Sequence, residues 1–406
     1  MGDTMKPETK QRIAQIRRGE VPEGYQKTRD GIFPADWHIQ KINRWIALAE
    51  RPITLENDKK YRLVTVRRGF GGIDLRGESL GKDILVKNYF RIFHRDFLIS
   101  KRQIAHGACG IVTKFLDGAV VSNEYNVFVP KPGTDIEMFN LMMQLPHYTR
   151  LFYLMSDGVH IEKLLFKTQD WMKRQLAMPP IAEQQKIAAI LTTQDKVIEL
   201  KEKRLAEKQR QKKYLMQQLL TGRKRLPGFN KTWNTVELGE IFDYIQPTKY
   251  LVKTTDYDNA YKTPVLTAGK TFILGYTSET KDVYTNVPVV IFDDFTTATQ
   301  YVDFPFKVKS SALKILAVKD GFNIFFAYEA MQLIRFAVGG HERHWISQYS
   351  CLTIDVPEIG EQSAIAQVLS TADREISLLR QDIEQEKQKK KALMQLLLTG
   401  IVRTTA

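Results

Sequence analysis

Two stretches of this chain repeat each other without a gap at an offset of 178 residues. Residues 179–222 read PPIAEQQKIAAILTTQDKVIELKEKRLAEKQRQKKYLMQQLLTG, and residues 357–400 read PEIGEQSAIAQVLSTADREISLLRQDIEQEKQKKKALMQLLLTG. The two stretches are identical at 20 of 44 aligned positions, including Glu183-Gln184 and Glu361-Gln362. Two unrelated surface helices would both be rich in Lys and Glu, but their sequences would not match position by position without a gap over this length. The repeat therefore indicates a doubled unit.

Each copy is predicted to form one long helix, because Pro precedes it and Gly follows it. Apolar residues recur at steps of four and three along one face, which is the pattern of a two-helix seam. Two unrelated amphipathic surface helices are the alternative, but a single apolar stripe needs a partner. The predicted seam residues are Ile187, Leu191, Ile198, Leu205, Leu215, Leu219, Ile365, Leu369, Ile376, Ile383, Leu393 and Leu397.

The order of the segments predicts the direction of the helices. If the halves are related by a pseudo-two-fold axis, the second helix runs antiparallel to the first and ends near the start of the chain. A helix of about 40 residues is about 60 Å long. The fold class is therefore α+β, with two mixed α/β domains separated by an antiparallel coiled coil. The predicted segments are 1–30, which completes the repeat, domains 31–178 and 223–356, and helices 179–222 and 357–406.

Within the two blocks, short apolar runs between Gly-, Asn- and Asp-rich turns predict strands. The predicted strands are Tyr61–Val66, Asp96–Ser100, Ala119–Ser122, Val287–Phe292 and Leu313–Val318. Helices are predicted at Asp135–Leu145, Asp170–Leu176 and Tyr328–Phe336.

The composition favours a cytoplasmic protein that binds a polyanion. Lys and Arg total 60 against 46 Asp and Glu, which gives a net charge of +14. The start of the chain lacks the apolar core of a signal peptide, and no apolar run is long enough for a membrane span. The cysteines are Cys109 and Cys351, too few for a disulfide framework or a zinc site.

Two α/β blocks, each followed by a long helix that begins near P-x-x-x-E-Q, resemble the specificity (S) subunit of type I restriction–modification systems. The repeated E-Q-x-x-I-A-x-x-L-x-T-x-D and L-L-T-G stretches are similar to the spacer helices of that family. Residues 96–112 and 289–311 are similar to stretches of its target recognition domains. The resemblance covers nearly the whole chain, and its motifs are ordered and duplicated.

The resemblance implies a DNA-recognition subunit that performs no chemistry. Each recognition domain would read one half of a split, asymmetric site in double-stranded DNA. The subunit would hold two methyltransferase (M) subunits, and the assembly would recruit motor–nuclease (R) subunits. S-adenosylmethionine, ATP and magnesium are expected on those partners, with no cofactor in this chain. The alternatives are a coiled-coil scaffold that binds only proteins and a self-sufficient nuclease or methyltransferase.

Candidate DNA contacts are polar residues next to predicted strands. Arg, Asn and Gln make bidentate contacts to base edges, whereas Ser, Thr and Lys suit bases or phosphates. Solvated turn residues are the alternative reading of each position. The candidates are Arg67, Arg68, Lys101, Arg102, Gln103, Asn123, Tyr125, Lys270, Thr297, Thr299, Gln300, Lys307, Lys309 and Ser310.

A second basic feature lies in the first long helix and the segment after it. Residues 201–225 carry ten Lys and Arg against Glu202 and Glu207. A solvated helix face, phosphate contact and docking of a partner subunit all remain open for this run.

No catalytic or metal site is predicted. Gly269-Lys270-Thr271 lacks the first glycine of a phosphate-binding loop, because Pro264 stands there. Met178-Pro179-Pro180-Ile181 lacks the polar and aromatic ends of an amino-methylation loop. Glu199 and Lys201 point in different directions on one helix. His341 and His344 have no third ligand beside them.

Overall fold

The computed structural model describes residues 6–85, 88–158, 164–267, 271–336 and 344–404. The chain forms two compact units, which divide within the long helices α5 (Ile181–Leu219) and α9 (Ile359–Leu397). Unit 1 contains Met1–Leu200 and Glu384–Ala406, and unit 2 contains Lys201–Ile383. Each unit therefore combines one α/β domain with one end of each long helix.

Unit 1 has four shorter helices and fifteen strands in its described part. The helices are α1 (Pro7–Arg17), α2 (Ile136–Met143), α3 (Pro146–Leu154) and α4 (Thr168–Met172). The strands are β1 (Tyr25–Thr28), β2 (Gly31–Pro34), β3 (His38–Lys41), β4 (Ile46–Leu48), β5 (Pro52–Ile53), β6 (Lys60–Val66), β7 (Ile73–Leu80), β8 (Tyr89–Arg91), β9 (Phe97–Ser100), β10 (Cys109–Ile111), β11 (Val120–Ser122), β12 (Tyr125–Pro130), β13 (Ser156–Asp157), β14 (Leu165–Phe166) and β15 (Gln175–Met178).

Two sheets form the α/β domain of unit 1. One is antiparallel with the order β10-β9-β12-β4, and the other has the order β5-β8-β11-β6-β7 with β11 parallel to β6. Strand β9 is buried along its whole length, which accounts for its apolar run Phe97-Leu98-Ile99. The core of the first sheet includes Phe97, Phe128, Phe139 and Trp171, whose rings meet edge to face.

Unit 2 has a similar but shorter set of elements. Its helices are α6 (Leu238–Ile241), α7 (Ile324–Met331) and α8 (His344–Ser347). Its strands are β16 (Asn234–Glu237), β17 (Phe242–Ile245), β18 (Thr263–Leu266), β19 (Ile273–Thr277), β20 (Val289–Asp293), β21 (Thr299–Val302), β22 (Lys307–Val308), β23 (Leu313–Val318) and β24 (Thr353–Val356).

The two domains share one topology. The order β21-β20-β23-β17 of unit 2 matches β10-β9-β12-β4 of unit 1, strand for strand. The order β19-β18-β22 matches β7-β6-β11, and the parallel pair recurs because β18 runs parallel to β22. The pair β16-β24 likewise matches β3-β15. The internal repeat therefore extends from the helices into the domains.

The long helices pack antiparallel within each unit, because the first turns of one share a core with the last turns of the other. In unit 1 these residues are Ile187, Ala188, Leu191, Leu397 and Leu398. In unit 2 they are Ile365, Ala366, Leu369, Leu219 and Leu220, each 178 positions from its counterpart. The predicted fold class, two mixed α/β domains with an antiparallel coiled coil, is confirmed.

The glutamine of the repeated Glu-Gln pair fastens each long helix to its domain. The side-chain oxygen of Gln184 accepts a hydrogen bond from the backbone N–H of Asp135 at 2.8 Å, just before α2. Gln362 accepts from the backbone N–H of Asn323 at 2.8 Å, just before α7. Both amide groups also donate to two backbone carbonyls. Each glutamine therefore satisfies loop groups that the helix would otherwise bury unpaired.

The N-terminal segment contacts the end of α9 within unit 1. The hydroxyl of Tyr25 donates to the carbonyl of Gly400 at 2.7 Å, and Arg12 donates to the carbonyl of Ile401 at 2.9 Å.

Two helix predictions were wrong in their boundaries. The helix expected at Asp170–Leu176 ends at Met172, and Gln175 begins β15, which pairs with β3. The helix expected at Tyr328–Phe336 begins four residues earlier, because Asn323 caps it by accepting from the N–H groups of Phe325 and Phe326.

Candidate nucleic-acid interface

Three loops of unit 1 meet at one edge of its sheets, and we call them loop surface 1: residues 67–72, 101–108 and 123–124. Strands β6 and β11 are parallel, so the loops that follow them lie at the same edge. The N–H of Gly69 donates to the carbonyl of His106 at 2.7 Å, and the N–H of Lys101 donates to that of Glu124 at 3.0 Å. Segments distant in sequence therefore form one continuous surface.

Three basic side chains of loop surface 1 contact acidic or carbonyl groups within it or on the neighbouring strand β7. Arg67 pairs with Asp74, and Arg102 pairs with Glu124 at 2.7 Å. The ammonium group of Lys101 donates to the carbonyl of Asn123 at 2.5 Å. Because these cations remain partly or largely exposed, they are oriented without being removed from solvent.

The other candidates of unit 1 differ in accessibility. Arg68 and Asn123 are exposed, and Gln103 is half-buried. Tyr125 is half-buried at the start of β12 and hydrogen-bonds Thr65, and burial raises its pKa. The phenol therefore stays protonated at neutral pH and can act as a hydrogen-bond donor.

Three loops of unit 2 occupy the equivalent positions, and we call them loop surface 2: residue 267 with 271–272, residues 294–298 and residues 309–312. Strands β18 and β22 are parallel, as are β6 and β11. The N–H of Lys309 donates to the carbonyl of Leu266 at 2.8 Å, and that of Asp294 donates to the carbonyl of Ala312 at 3.1 Å. Candidates chosen from separate sequence segments thus lie on or beside equivalent loops in both domains.

The described candidates of unit 2 lie in the β20–β21 and β22–β23 loops or on the strands next to them. Thr297 lies in the β20–β21 turn with a φ of 57°, and Gln300 is exposed on β21. The hydroxyl of Thr299 accepts from Gln332 at 2.7 Å. Lys309 is exposed, and the Ser310 hydroxyl accepts from the N–H of Ala312 at 3.1 Å. Lys270 lies outside the described residues.

Lys307 has a different role from the one expected from the sequence. It is fully buried, and its ammonium group contacts Glu279 at 2.9 Å and the carbonyl of Lys281 at 2.9 Å. Burial alone would raise the pKa of Glu279, but Lys307 and the N–H groups of Thr254 and Lys253 lower it to about 2. Lys307 therefore pairs with a partly exposed carboxylate of its own domain and is not available to DNA in this conformation.

Phe295 was missed by the sequence analysis. It lies at the tip of the β20–β21 turn with 38% of its surface exposed. The carboxylate of Asp293 accepts from the N–H of Phe295 and the hydroxyl of Thr296, which shapes the turn. An exposed aromatic ring at a loop tip can contact a thymine methyl group. The sequence Asp293-Asp294-Phe295-Thr296-Thr297 carries the signal for such a turn.

At least five of the ten basic residues in 201–225 form ion pairs within unit 2. Lys201 pairs with Asp382, Lys208 with Glu375 and Lys212 with Asp373, all across to α9. Arg210 pairs with Glu207, and Arg225 with Glu361. Much of this run therefore stabilises the helix pair, which reduces the charge left for phosphate contact.

The twelve predicted seam residues are all buried or half-buried in the structure. The buried ones are Ile187, Leu191, Ile198, Leu219, Ile365, Leu369, Ile376, Ile383 and Leu397. The half-buried ones are Leu205, Leu215 and Leu393.

Among the described residues, no group of His, Cys, Asp and Glu could hold a metal ion. His344 is buried at the start of α8, and His341 lies outside the described residues. The glycines of 69–72 form the β6–β7 turn, which the N–H of Arg67 closes by donating to the carbonyl of Gly72. In the part of the chain that the structure describes, no helix is both long and apolar enough to cross a membrane.

Comparison with known proteins identifies the family. Residues 49–208 and 230–388 each match the type I restriction modification DNA specificity domain. The specificity subunit of the EcoR124I/EcoR124II type I restriction enzyme of Escherichia coli is 51% identical over 140 residues, which is 33% of this chain and 34% of that relative. The putative MjaX specificity subunit of Methanocaldococcus jannaschii is 24% identical over 94% of this chain and 97% of its own length.

A solved structure shows the same fold. The type I restriction–modification S subunit from M. genitalium aligns with a TM-score of 0.63 at 12% identity, covering 89% of this chain and 96% of that one. Two matched domains cover most of the sequence, and the structure repeats one topology in both. The chain therefore belongs to the type I restriction–modification DNA specificity subunit family.

Proposed function

We propose that this chain is the non-catalytic subunit that reads the DNA sequence for a type I restriction–modification complex. The observation that carries the proposal is the duplication of the loop surfaces. Equivalent loops at the carboxyl ends of parallel strands hold polar and basic side chains in both units. Family membership and the net charge of +14 support the same function.

Each α/β domain, within 31–178 and 223–356, would read one half of a bipartite site. Arg67, Arg68 and Arg102 suit guanine edges or phosphates, and Asn123 suits adenine. In unit 2, Gln300, Thr297 and Lys309 provide amide, hydroxyl and ammonium groups, and Phe295 adds an exposed aromatic ring. The two surfaces differ in chemistry, so the two half-sites would differ in sequence.

The antiparallel helices would set the spacing between the half-sites and bind two methyltransferase subunits. Motor–nuclease subunits would join that assembly in the cytoplasm. S-adenosylmethionine, ATP and magnesium would be bound by these partners, and this chain would supply recognition alone.

An exchange of one domain tests the proposal. Residues 233–355 would be replaced by the matching segment of a family member with a different DNA site, and the recognised sequence would be determined for the assembled complex. We expect one half of the site to change and the other half to remain. A change in both halves, or in neither, would show that the domains do not read separately.

A further inference from the structure

We propose that Lys314 is a positioning residue for DNA readout by unit 2, because its buried ammonium group contacts both the 294–298 loop and the 309–312 loop of loop surface 2. The inference rests on the proposed function and adds a residue that does not itself reach DNA. Lys314 is the second residue of β23, and only 1% of its surface is exposed.

The contacts of Lys314 converge on the loops. Its ammonium group donates to the carbonyl of Ser311, in the β22–β23 loop, at 2.9 Å, and to the side-chain oxygen of Gln246 at 3.3 Å. The carboxylate of Asp294, which opens the β20–β21 loop, lies 3.7 Å away. The ring of Tyr244 lies 5.5 Å from the same ammonium group. The ammonium group of Lys314 therefore contacts both the β22–β23 loop and the β20–β21 loop.

Asp294 connects this cation to the domain core. It is 3% exposed, and its carboxylate accepts from the N–H of Trp345 at 2.9 Å. Its carbonyl accepts from the N–H of His344 at 3.1 Å, and its N–H donates to the carbonyl of Ala312. Since an isolated buried carboxylate is strongly unfavourable, the charge of Lys314 compensates that of Asp294.

The neighbouring residue directs the loop tip outward. Asp293 closes the turn through Phe295 and Thr296, which leaves both side chains exposed. The first residue of the β20–β21 loop, Asp294, is thus held in place by Lys314, whereas the tip of the loop faces solvent. Base readout depends on donor and acceptor positions fixed to within about 0.5 Å, so a rigid root favours discrimination.

Unit 1 has a neutral residue at the equivalent position. Asn126 pairs with Ile99 of β9 just as Lys314 pairs with Phe292 of β20, and Asn126 donates to the hydroxyl of Thr168. The shared fold therefore does not require a buried cation here. A buried ion pair is often no more stabilising than apolar residues of similar size, so a role in loop geometry explains it better than stability does.

The test uses the full chain assembled with its methyltransferase subunits and a random-sequence duplex library. Bound DNA is sequenced for the wild type, Lys314→Met and Lys314→Arg. Lys319→Met is the matched control, because Lys319 lies past the other end of β23 and donates to the carbonyl of Gly239. Circular dichroism and thermal unfolding establish that each variant is folded. If Lys314→Met does not fold, the same measurement is made on Asp294→Asn, which removes the charge that Lys314 contacts.

We expect Lys314→Met to reduce discrimination at one half-site about tenfold while the other half-site stays as selective as in the wild type. Lys314→Arg, which keeps the charge but moves the donors, should also reduce discrimination at that half-site. Lys319→Met should leave discrimination at both half-sites unchanged. Undiminished discrimination, or an equal loss of affinity for all sequences, would overturn the inference. A wild type that selects no sequence would instead overturn the proposed function itself.

Discussion

Arg403 and Glu183 lie 220 positions apart in the sequence and form a bidentate ion pair in unit 1, with both N–O distances at 2.8 Å. In unit 2, Arg225 and Glu361 form the same pair at 2.6 Å, and each residue lies 178 positions before or after its counterpart. The indole N–H of Trp37 or Trp233 donates to the same glutamate. The segment after α9 thus completes unit 1 in the way that the segment after α5 completes unit 2.

Replacing Arg403 with alanine should destabilise unit 1. Glu183 is only 7% exposed, so the substitution would leave a largely buried carboxylate without its cation. We expect the free energy of unfolding to fall by about 2 kcal/mol, below the full cost of breaking a buried pair because Arg403 is partly exposed. Arg18→Ala, which removes an exposed ion pair of the same unit, is the control and should have no measurable effect. Equal thermal stability of both variants would contradict this role for Arg403.

The glutamine of each Glu-Gln pair should stabilise its own unit. Gln184→Ala would leave the N–H of Asp135 and the carbonyls of Gly133 and Pro179 without this partner, and we expect a loss of about 2 kcal/mol in the free energy of unfolding. Gln362→Ala should act equally on unit 2. Hydrogen exchange resolved by unit provides the measurement, and Gln211→Ala on the exposed face of α5 provides the control. A loss spread evenly over both units would argue against this local role.

The sequence predicts the long helices and their direction because the repeat has no gaps and one apolar stripe. It does not predict that the loops meet, because that depends on β6 pairing with β11, more than 50 residues later. The segment Lys307-Val308-Lys309-Ser310 looks uniformly exposed from its composition. Lys307 is nevertheless fully buried in the folded domain, where it pairs with Glu279. Such burial follows from long-range packing, which local patterns do not contain.

Lys212 should contribute more stability than its repeat counterpart Lys390. Lys212 contacts both Asp373 and Glu329, which is 1% exposed and whose pKa is raised by burial. Lys390 pairs with Asp195, which is half-exposed.

Lys212→Met should therefore lower the free energy of unfolding by about 2–3 kcal/mol, and Lys390→Met by less than about 1 kcal/mol. Leu141 occupies the position in α2 that corresponds to Glu329 in α7. The double variant Lys212→Met with Glu329→Leu should recover much of the loss in chemical denaturation. Failure of the second substitution to restore stability would show that Glu329 is not the source of the cost.

Glu279 should make the stability of unit 2 fall in acid. Its pKa is lowered to about 2 in the folded protein and lies near 4.5 when unperturbed, so its stabilising effect is complete above about pH 4.5 and is lost as the pH falls toward 2. Glu279→Gln should remove this part of the pH dependence while lowering stability at neutral pH. Thermal unfolding of both proteins from pH 7 to pH 2.5 provides the comparison. Parallel curves for the two proteins would be the contrary result.

Exposed cations on the loop surfaces should determine how DNA affinity depends on salt. Lys309 is exposed beside the β18 edge, and replacing it with methionine should weaken binding to all sequences and reduce the slope of log affinity against log salt by about 1. Arg18→Ala, which removes an exposed cation from the segment between α1 and β1, should leave the slope unchanged. Titrations between about 50 and 200 mM salt measure both slopes. The proposed interface is misplaced if Arg18→Ala reduces the slope and Lys309→Met does not.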